Sequence, residues 1–248
     1  MHNLGQTRSA HHRNHLLLTA DTFVRAPLPG MKQATAVVHI SPALGAGFAQ
    51  YTAELEPGGE LGETLAQRFI YVMDGEIALE VGAGNQRLGP QSYAYLPQGA
   101  AHRAAATTTS RIIVIEKNYQ SIAGVAPPRV LVSKESAVPS NALNNDPDLQ
   151  VRCLLPDDLS FDFAVNTMTY QPGAALSVVE MHVMEHGLIM LEGGGIYRLG
   201  DAWYPVTAGD FIWMGPWCPQ WFGAIGKVPA KYLIYKDWNR HPLAARQK

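Results

Sequence analysis

The 248-residue chain predicts an all-β fold made of two tandem copies of one β-unit. Three observations carry this expectation. Short runs rich in Val, Ile, Tyr and Phe alternate apolar and polar residues, the period of a strand with one buried face. Gly- and Pro-bearing turn signals follow at short intervals. The second half also repeats the first at a fixed offset.

In chain order, residues 1–15 carry Arg8, His11, His12, Arg13 and His15 with no apolar stretch, and read as a flexible N-terminal tail. The first unit is expected over residues 16–119, with strands near 36–40, 47–54, 69–73, 77–81, 92–96 and 111–116. Pro57-Gly58-Gly59 and Asp74-Gly75 mark turns within it. Residues 120–149 are rich in Pro, Ser and Asn (Ala126-Pro127-Pro128, Asn144-Asn145-Asp146-Pro147) and read as a connector. The second unit spans 150–242, with strands near 163–170, 175–183, 188–191, 195–199, 211–214 and 231–235. Residues 243–248 form a C-terminal tail.

The repeat appears when Asp74-Gly75 is laid on Glu192-Gly193, an offset of 118 residues. Ser92-Tyr93-Ala94-Tyr95-Leu96 then falls on Asp210-Phe211-Ile212-Trp213-Met214, and His102 on Gln220. One further residue of offset lays Glu116-Lys117 on Tyr235-Lys236.

Composition excludes several classes. Hydrophobic residues make up 47% and charged residues 16%, enough to bury a substantial core. A net charge of -2 provides no field for nucleic acid. No apolar run reaches the roughly 18 residues that span a bilayer. The two cysteines, Cys153 and Cys218, make no disulfide framework, and no secretory signal is visible. A cytoplasmic protein is expected.

Chemistry concentrates in Glu180-Met181-His182-Val183-Met184-Glu185-His186, with Gln220 further on in Pro219-Gln220-Trp221. Polar groups within apolar, strand-like segments are costly unless something satisfies them, and a divalent cation would satisfy two imidazoles, a carboxylate and an amide together. On a strand Glu180 and His182 share one face, while Val179, Met181 and Val183 point into apolar packing. Such a set suits Mn²⁺ or Fe²⁺, whereas zinc often takes thiolate or a third His. Glu185 reads as a solvated turn residue. Trp217 and Trp221 flank Gln220 and are candidates to line a pocket. Laid back on the first unit, Glu180, His182 and His186 fall on Gly62, Thr64 and Arg68, so the metal is expected in the second unit only. His102 there reads as core or pocket lining.

Around these residues the second half resembles the cupin superfamily, with Gly173 to Gly193 approximating its first motif and Gly209 to Gln220 its second. Glu180 replaces the usual first His, and Gln220 the His of motif two. Leu191-Glu192-Gly193, Ile196-Tyr197-Arg198-Leu199, Trp203-Tyr204-Pro205-Val206 and Tyr232-Leu233 through Tyr235-Lys236-Asp237 narrow the resemblance to the (S)-ureidoglycine aminohydrolases. Phe23-Val24-Arg25-Ala26-Pro27-Leu28-Pro29 agrees in the first half.

The resemblance implies a bicupin of two jelly-roll-like barrels. It also implies a Mn²⁺-dependent hydrolase that converts (S)-ureidoglycine and water to (S)-ureidoglycolate and ammonia in ureide breakdown. Glu180, His182, His186 and Gln220 are implied as metal ligands, and Tyr197, Tyr232 and Lys236 as substrate-binding and catalytic residues. On residue grounds alone, Lys236 reads as a solvated strand-end lysine, and core aromatics with satisfied hydroxyls are the alternative for Tyr197 and Tyr232, the two readings being close to equal for Tyr197. An iron-dependent cupin dioxygenase and a non-catalytic metabolite-binding bicupin are the competing readings. Sheet faces and edges that need covering suggest a homo-oligomer.

Overall fold

The structure, a computed structural model, describes residues 6–240. The expected C-terminal tail 243–248 lies outside the described residues. The chain divides into two compact units, residues 24–137 and a second made of residues 1–23 with 138–248.

The first unit is a single antiparallel sheet. Its strand order is Leu131–Lys134, Ser92–Leu96, Gln67–Asp74, Ser110–Lys117, Ala49–Glu60, His102–Ala106, Ile77–Val81 and Gly84–Leu88, with Lys32–Ile40 beside Ala49–Glu60. Alternate residues such as Tyr51, Ile70, Val72, Leu79, Ile112 and Val114 fill its core.

The second unit has two sheets. One runs Ala10–His11, His15–Leu18, Phe211–Met214, His186–Glu192, Ala230–Asp237, Phe163–Tyr170, Asp146–Cys153 and Asn141–Leu143. The other is Ala202–Thr207, Gly194–Leu199 and Gln220–Ala224. Leu188, Met190, Ile212 and Ile234 of the larger sheet share one buried cluster with Tyr197, Leu199, Val206 and Phe222 of the smaller. The sheets therefore close over a common interior.

Strand register shows the repeat directly. Leu96 pairs Arg68 as Met214 pairs His186, and Val81 pairs His102 as Leu199 pairs Gln220. On the last strand the alignment changes. Glu116 sits opposite Arg68 where Lys236 sits opposite His186. Lys236 therefore corresponds to Glu116, one position away from the sequence alignment. The turn before that strand is two residues longer in the second unit, residues 225–229 against 107–109.

Three expectations about organisation differ from the structure. Within the expected tail, Ala10–His11 pairs with His15–Leu18. That second strand extends onto Phe211–Met214, so residues 16–23 belong with the C-terminal barrel. The reason is burial: Leu16 and Leu17 cover an otherwise open strand edge, and Leu17 is fully buried. The expected connector contains strand Leu131–Lys134, which completes the first sheet. It also contains the hairpin Asn141–Leu143 with Asp146–Cys153. Asn144 and Asn145, at φ 53° and 63°, form its two-residue turn of the primed kind. Finally, residues 175–183 do not form a continuous strand; only Ala175 and Glu180 make isolated bridges, to Gly223 and Gln220.

Candidate metal centre

The Glu180 bridge brings the two distant parts of the motif together. Glu180 and Gln220 exchange backbone hydrogen bonds, Gln220 being the first residue of strand Gln220–Ala224. Beside them His182 Nε2 stands 3.2 Å from Glu180 Oε2. The His182 and His186 ring centroids are 5.3 Å apart. Trp217 fixes the backbone of His182 by donating its N–H to the His182 carbonyl at 2.7 Å.

Between its bridged ends, residues 175–183 bulge outward. Val178, Val179 and Met181 are exposed, not packed inward as alternation suggests. Glu180 and His182 still converge, because the bridge to Gln220 aims Glu180 and the chain turns back at His182.

His186 is almost fully buried and begins strand His186–Glu192. Its Nδ1–H donates to the Glu185 carbonyl at 2.8 Å, which leaves the Nε2 lone pair available. Burial holds its pKa well below the ordinary value, helped by the charge of Lys236 and by His182. A neutral imidazole results, the form that binds metals. Glu185 is not solvated: it is buried and accepts the Trp213 indole N–H at 3.1 Å. The register explains this, since Glu185 points away from the interior that His186 faces.

The donor set fits a divalent cation on one further observation. The amide oxygen of Gln220 is buried and has no hydrogen-bond partner among the described residues. An orphaned buried acceptor of this kind is costly, and it lies on the residue bridged to Glu180. Among the described residues, no three His, Cys, Asp or Glu side chains are gathered at ligand spacing. Glu180 and His182 are in contact, His186 stands one ring further off, and Gln220 contributes an amide.

Lys236 lies opposite His186 on the neighbouring strand and therefore on the same face. It is half-buried, and its ammonium makes no hydrogen bond to any described residue. Burial lowers its pKa while Glu180 acts to raise it. Tyr197 and Tyr232 are buried in the barrel interior, and desolvation raises both phenol pKa values far above the usual range. The Tyr197 hydroxyl has no hydrogen bond among the described residues, whereas that of Tyr232 lies 2.8 Å from the hydroxyl of Tyr170. Sequence reasoning missed Tyr170. Its parity with Met168, which faces the same core cluster, is the signal that placed it inside.

In the first unit the corresponding place is filled by charge. Arg68, nearly fully buried, donates Nε–H to Glu116 Oε1 at 2.8 Å and a terminal N–H to His102 Nε2 at 2.9 Å. Another N–H reaches the Gly62 carbonyl at 2.9 Å. Gly62, Arg68 and His102 are the counterparts of Glu180, His186 and Gln220. A guanidinium thus neutralises this interior.

Known proteins resemble the chain along nearly all of its length. A family model described as "Cupin domain" matches residues 166–235. A protein of Oryza sativa subsp. japonica, described as a probable (S)-ureidoglycine aminohydrolase, is 41% identical, covering 96% of this chain and 78% of its own. The (S)-ureidoglycine aminohydrolase of Arabidopsis thaliana is 38% identical, covering 96% and 80%. The crystal structure of protein Ylba from E. coli superimposes with a TM-score of 0.85 at 29% identity, covering 96% of this chain and 97% of that one. Similarity at this level extends across both barrels and is not confined to the matched domain, and on that ground the chain belongs to the (S)-ureidoglycine aminohydrolase family of bicupins.

Proposed function

We propose that the chain hydrolyses (S)-ureidoglycine to (S)-ureidoglycolate and ammonia in ureide breakdown, with one Mn²⁺ held by Glu180, His182, His186 and Gln220. The carrying observation is the reciprocal bridge that sets the orphaned Gln220 amide beside Glu180 and His182. Family membership supplies the reaction class. When bound, such a cation supplies Lewis acidity and lowers the pKa of a coordinated water.

The remaining work falls to side chains. The reacting carbon of ureidoglycine carries an amine, a ureido group and a carboxylate. The Lys236 ammonium, which makes no hydrogen bond to any described residue, is a point charge for that carboxylate. The Tyr197 hydroxyl, without a hydrogen bond among the described residues, can hold a ureido or carboxylate oxygen, and Tyr232 offers a second hydroxyl on the strand that carries Lys236. The apolar wall around Phe222 and Leu199 excludes water that is not part of the reaction. Ureidoglycine and water enter; ureidoglycolate and ammonia leave.

The proposal extends to a homo-oligomer, supported by the exposed Val178, Val179 and Met181 beside the site. The deciding experiment is purification without added metal, elemental analysis, and an ammonia assay on freshly generated (S)-ureidoglycine with and without oxygen. Manganese at one equivalent per chain and oxygen-independent ammonia release are expected. Full activity in metal-stripped protein refutes the metal's role, and an oxygen requirement refutes hydrolysis.

A further inference from the structure

The C-terminal barrel contains a buried hydroxyl pair, Tyr170 with Tyr232, of which the reaction as proposed uses only Tyr232. Tyr170, the last residue of strand Phe163–Tyr170, and Tyr232 lie on adjacent antiparallel strands; Met168 is directly opposite Tyr232, and Tyr170 is the diagonal neighbour on the same face. Their oxygens are 2.8 Å apart. The Tyr170 ring meets Phe222 edge-on at 4.9 Å and Tyr232 at 5.6 Å, so neither phenol can swing away without opening the core. Tyr170 is fully buried, and Tyr232 nearly so.

One proton can lie between two hydroxyl oxygens. Among the described residues, Tyr170 has no other hydrogen-bond partner, so its proton goes to Tyr232 or goes unused. A buried donor left unmade costs about 1–3 kcal/mol. Satisfying it obliges Tyr232 to accept, and the proton of Tyr232 must then point off that line. Phe222, two residues from Gln220 on the same strand and therefore on the same face, meets the Tyr170 ring at 4.9 Å and the Tyr232 ring at 5.8 Å, which sets the pair in the interior that Gln220 faces.

We infer that Tyr170 is a positioning residue: it donates to Tyr232 and thereby commits the Tyr232 hydroxyl to act as a hydrogen-bond donor toward an oxygen acceptor of the bound substrate. The inference rests on the proposed function, which gives the proton of Tyr232 to the substrate and so leaves Tyr170 as the donor within the pair; the 2.8 Å contact alone allows either direction. A ligand presenting a carboxylate or ureido oxygen fits this arrangement. One presenting an N–H to Tyr232 does not.

The test uses the full-length metal-loaded protein and its Y170F, Y232F and Y170F/Y232F variants. Y170F keeps both rings in place; its metal content should match the wild type, while kcat/KM falls about tenfold, as expected for a lost orienting hydrogen bond. Y232F should lose more, and the double variant should be no worse than Y232F, because Tyr170 acts only through Tyr232. Losses that multiply in the double variant, or Y170F activity within twofold of wild type, overturn the inference. Hydroxyl-proton exchange by NMR on tyrosine-labelled protein provides a second readout that needs no turnover. The Tyr170 proton should be protected and the Tyr232 proton fast-exchanging; the reverse order overturns the inference. A wild-type protein inactive on (S)-ureidoglycine refutes the proposed function, and the exchange measurement still decides the pair.

Discussion

Glu180 and Gln220 are tied by two backbone hydrogen bonds, each N–H donating to the other's carbonyl at 2.8 and 2.9 Å. Their side chains are free of that duty, so the bridge survives side-chain substitution. Gln220→Ala should therefore fold with a melting temperature in EDTA close to wild type, yet lose most of its bound manganese. Glu180→Ala should lose all of it, since the carboxylate is the charged member of the set. Elemental analysis of both variants checks this. Wild-type metal content in either one shows that the ion is held elsewhere.

The first barrel has Arg68 where the second has His186, and the consequence is measurable. His102→Ala should leave manganese at one equivalent per chain. Arg68→Met should also leave metal unchanged while lowering stability by about 2–3 kcal/mol, because it leaves the Gly62 carbonyl without that donor and the Glu116 carboxylate with only the Tyr51 hydroxyl. Glu116 keeps some solvent contact, which holds the loss below that of a fully buried pair. Urea titration gives the second quantity. A drop in metal content in His102→Ala would move a site into the first barrel.

Much of this was legible in the sequence. Alternation located most strands because each buries one face, and the Glu180–His186 cluster stood out because polar residues are rare in such segments. What stayed hidden depends on distant contacts. Leu16 and Leu17 look like the start of the first unit, and only the open edge at Phe211–Met214 draws them to the second. Asn144-Asn145 reads as linker until its positive φ values make a hairpin turn. The pairing of Lys236 with His186 depends on two extra turn residues that a one-residue offset could not register. Residues 175–183 alternate like a strand but pair with strand Gln220–Ala224 only at the two bridges, which left Val178 and Val179 in solvent.

The N-terminal arm should matter to the C-terminal barrel. Arg8 reaches Asp210 with both terminal nitrogens, at 2.6 and 3.0 Å, and Asp210 also accepts the Thr207 backbone N–H at 2.9 Å. Asp210 is almost fully buried, whereas Arg8 is partly exposed. Arg8→Ala should therefore cost about 1 kcal/mol or less. Asp210→Ala, which leaves the Thr207 turn N–H unpaired and Arg8 with only the Pro205 carbonyl, should cost about 2–3 kcal/mol. Equal losses in chemical denaturation would mean that the ion pair, not the turn, carries the energy.

Buried histidines make the fold acid-sensitive, His39 and His15 alongside His186. Burial pushes His39 down to about 3, and burial with neighbouring His12 and His11 pushes His15 to about 4. Both are neutral in the folded protein and ionise more readily when unfolded, near 6.5. Their contribution is fully present above that unfolded value and is lost as pH falls toward the folded values. The urea midpoint should be flat from pH 8 to 7 and decline steadily below 6.5. Replacing His39 with Gln, which keeps a polar partner for Thr52 2.8 Å away, should shallow the decline. A midpoint independent of pH between 6.5 and 4 contradicts the assignment.

Lys236 separates substrate binding from metal binding. It stands opposite His186, and its charge is one of the causes that depress the His186 pKa. Removing that charge relieves repulsion toward a cation, so Lys236→Met should bind manganese at least as tightly as wild type. The same variant loses the charge proposed for the substrate carboxylate, so KM should rise tenfold or more, consistent with the worth of about 1.5–3 kcal/mol for a charged hydrogen bond. Restoring a cation as Lys236→Arg should recover only part of the affinity, because a planar guanidinium does not reproduce the compact ammonium. Metal titration and steady-state kinetics on the two variants decide the matter. If Lys236→Met loses metal and activity together, the lysine supports the centre itself, and the carboxylate must be held by another group.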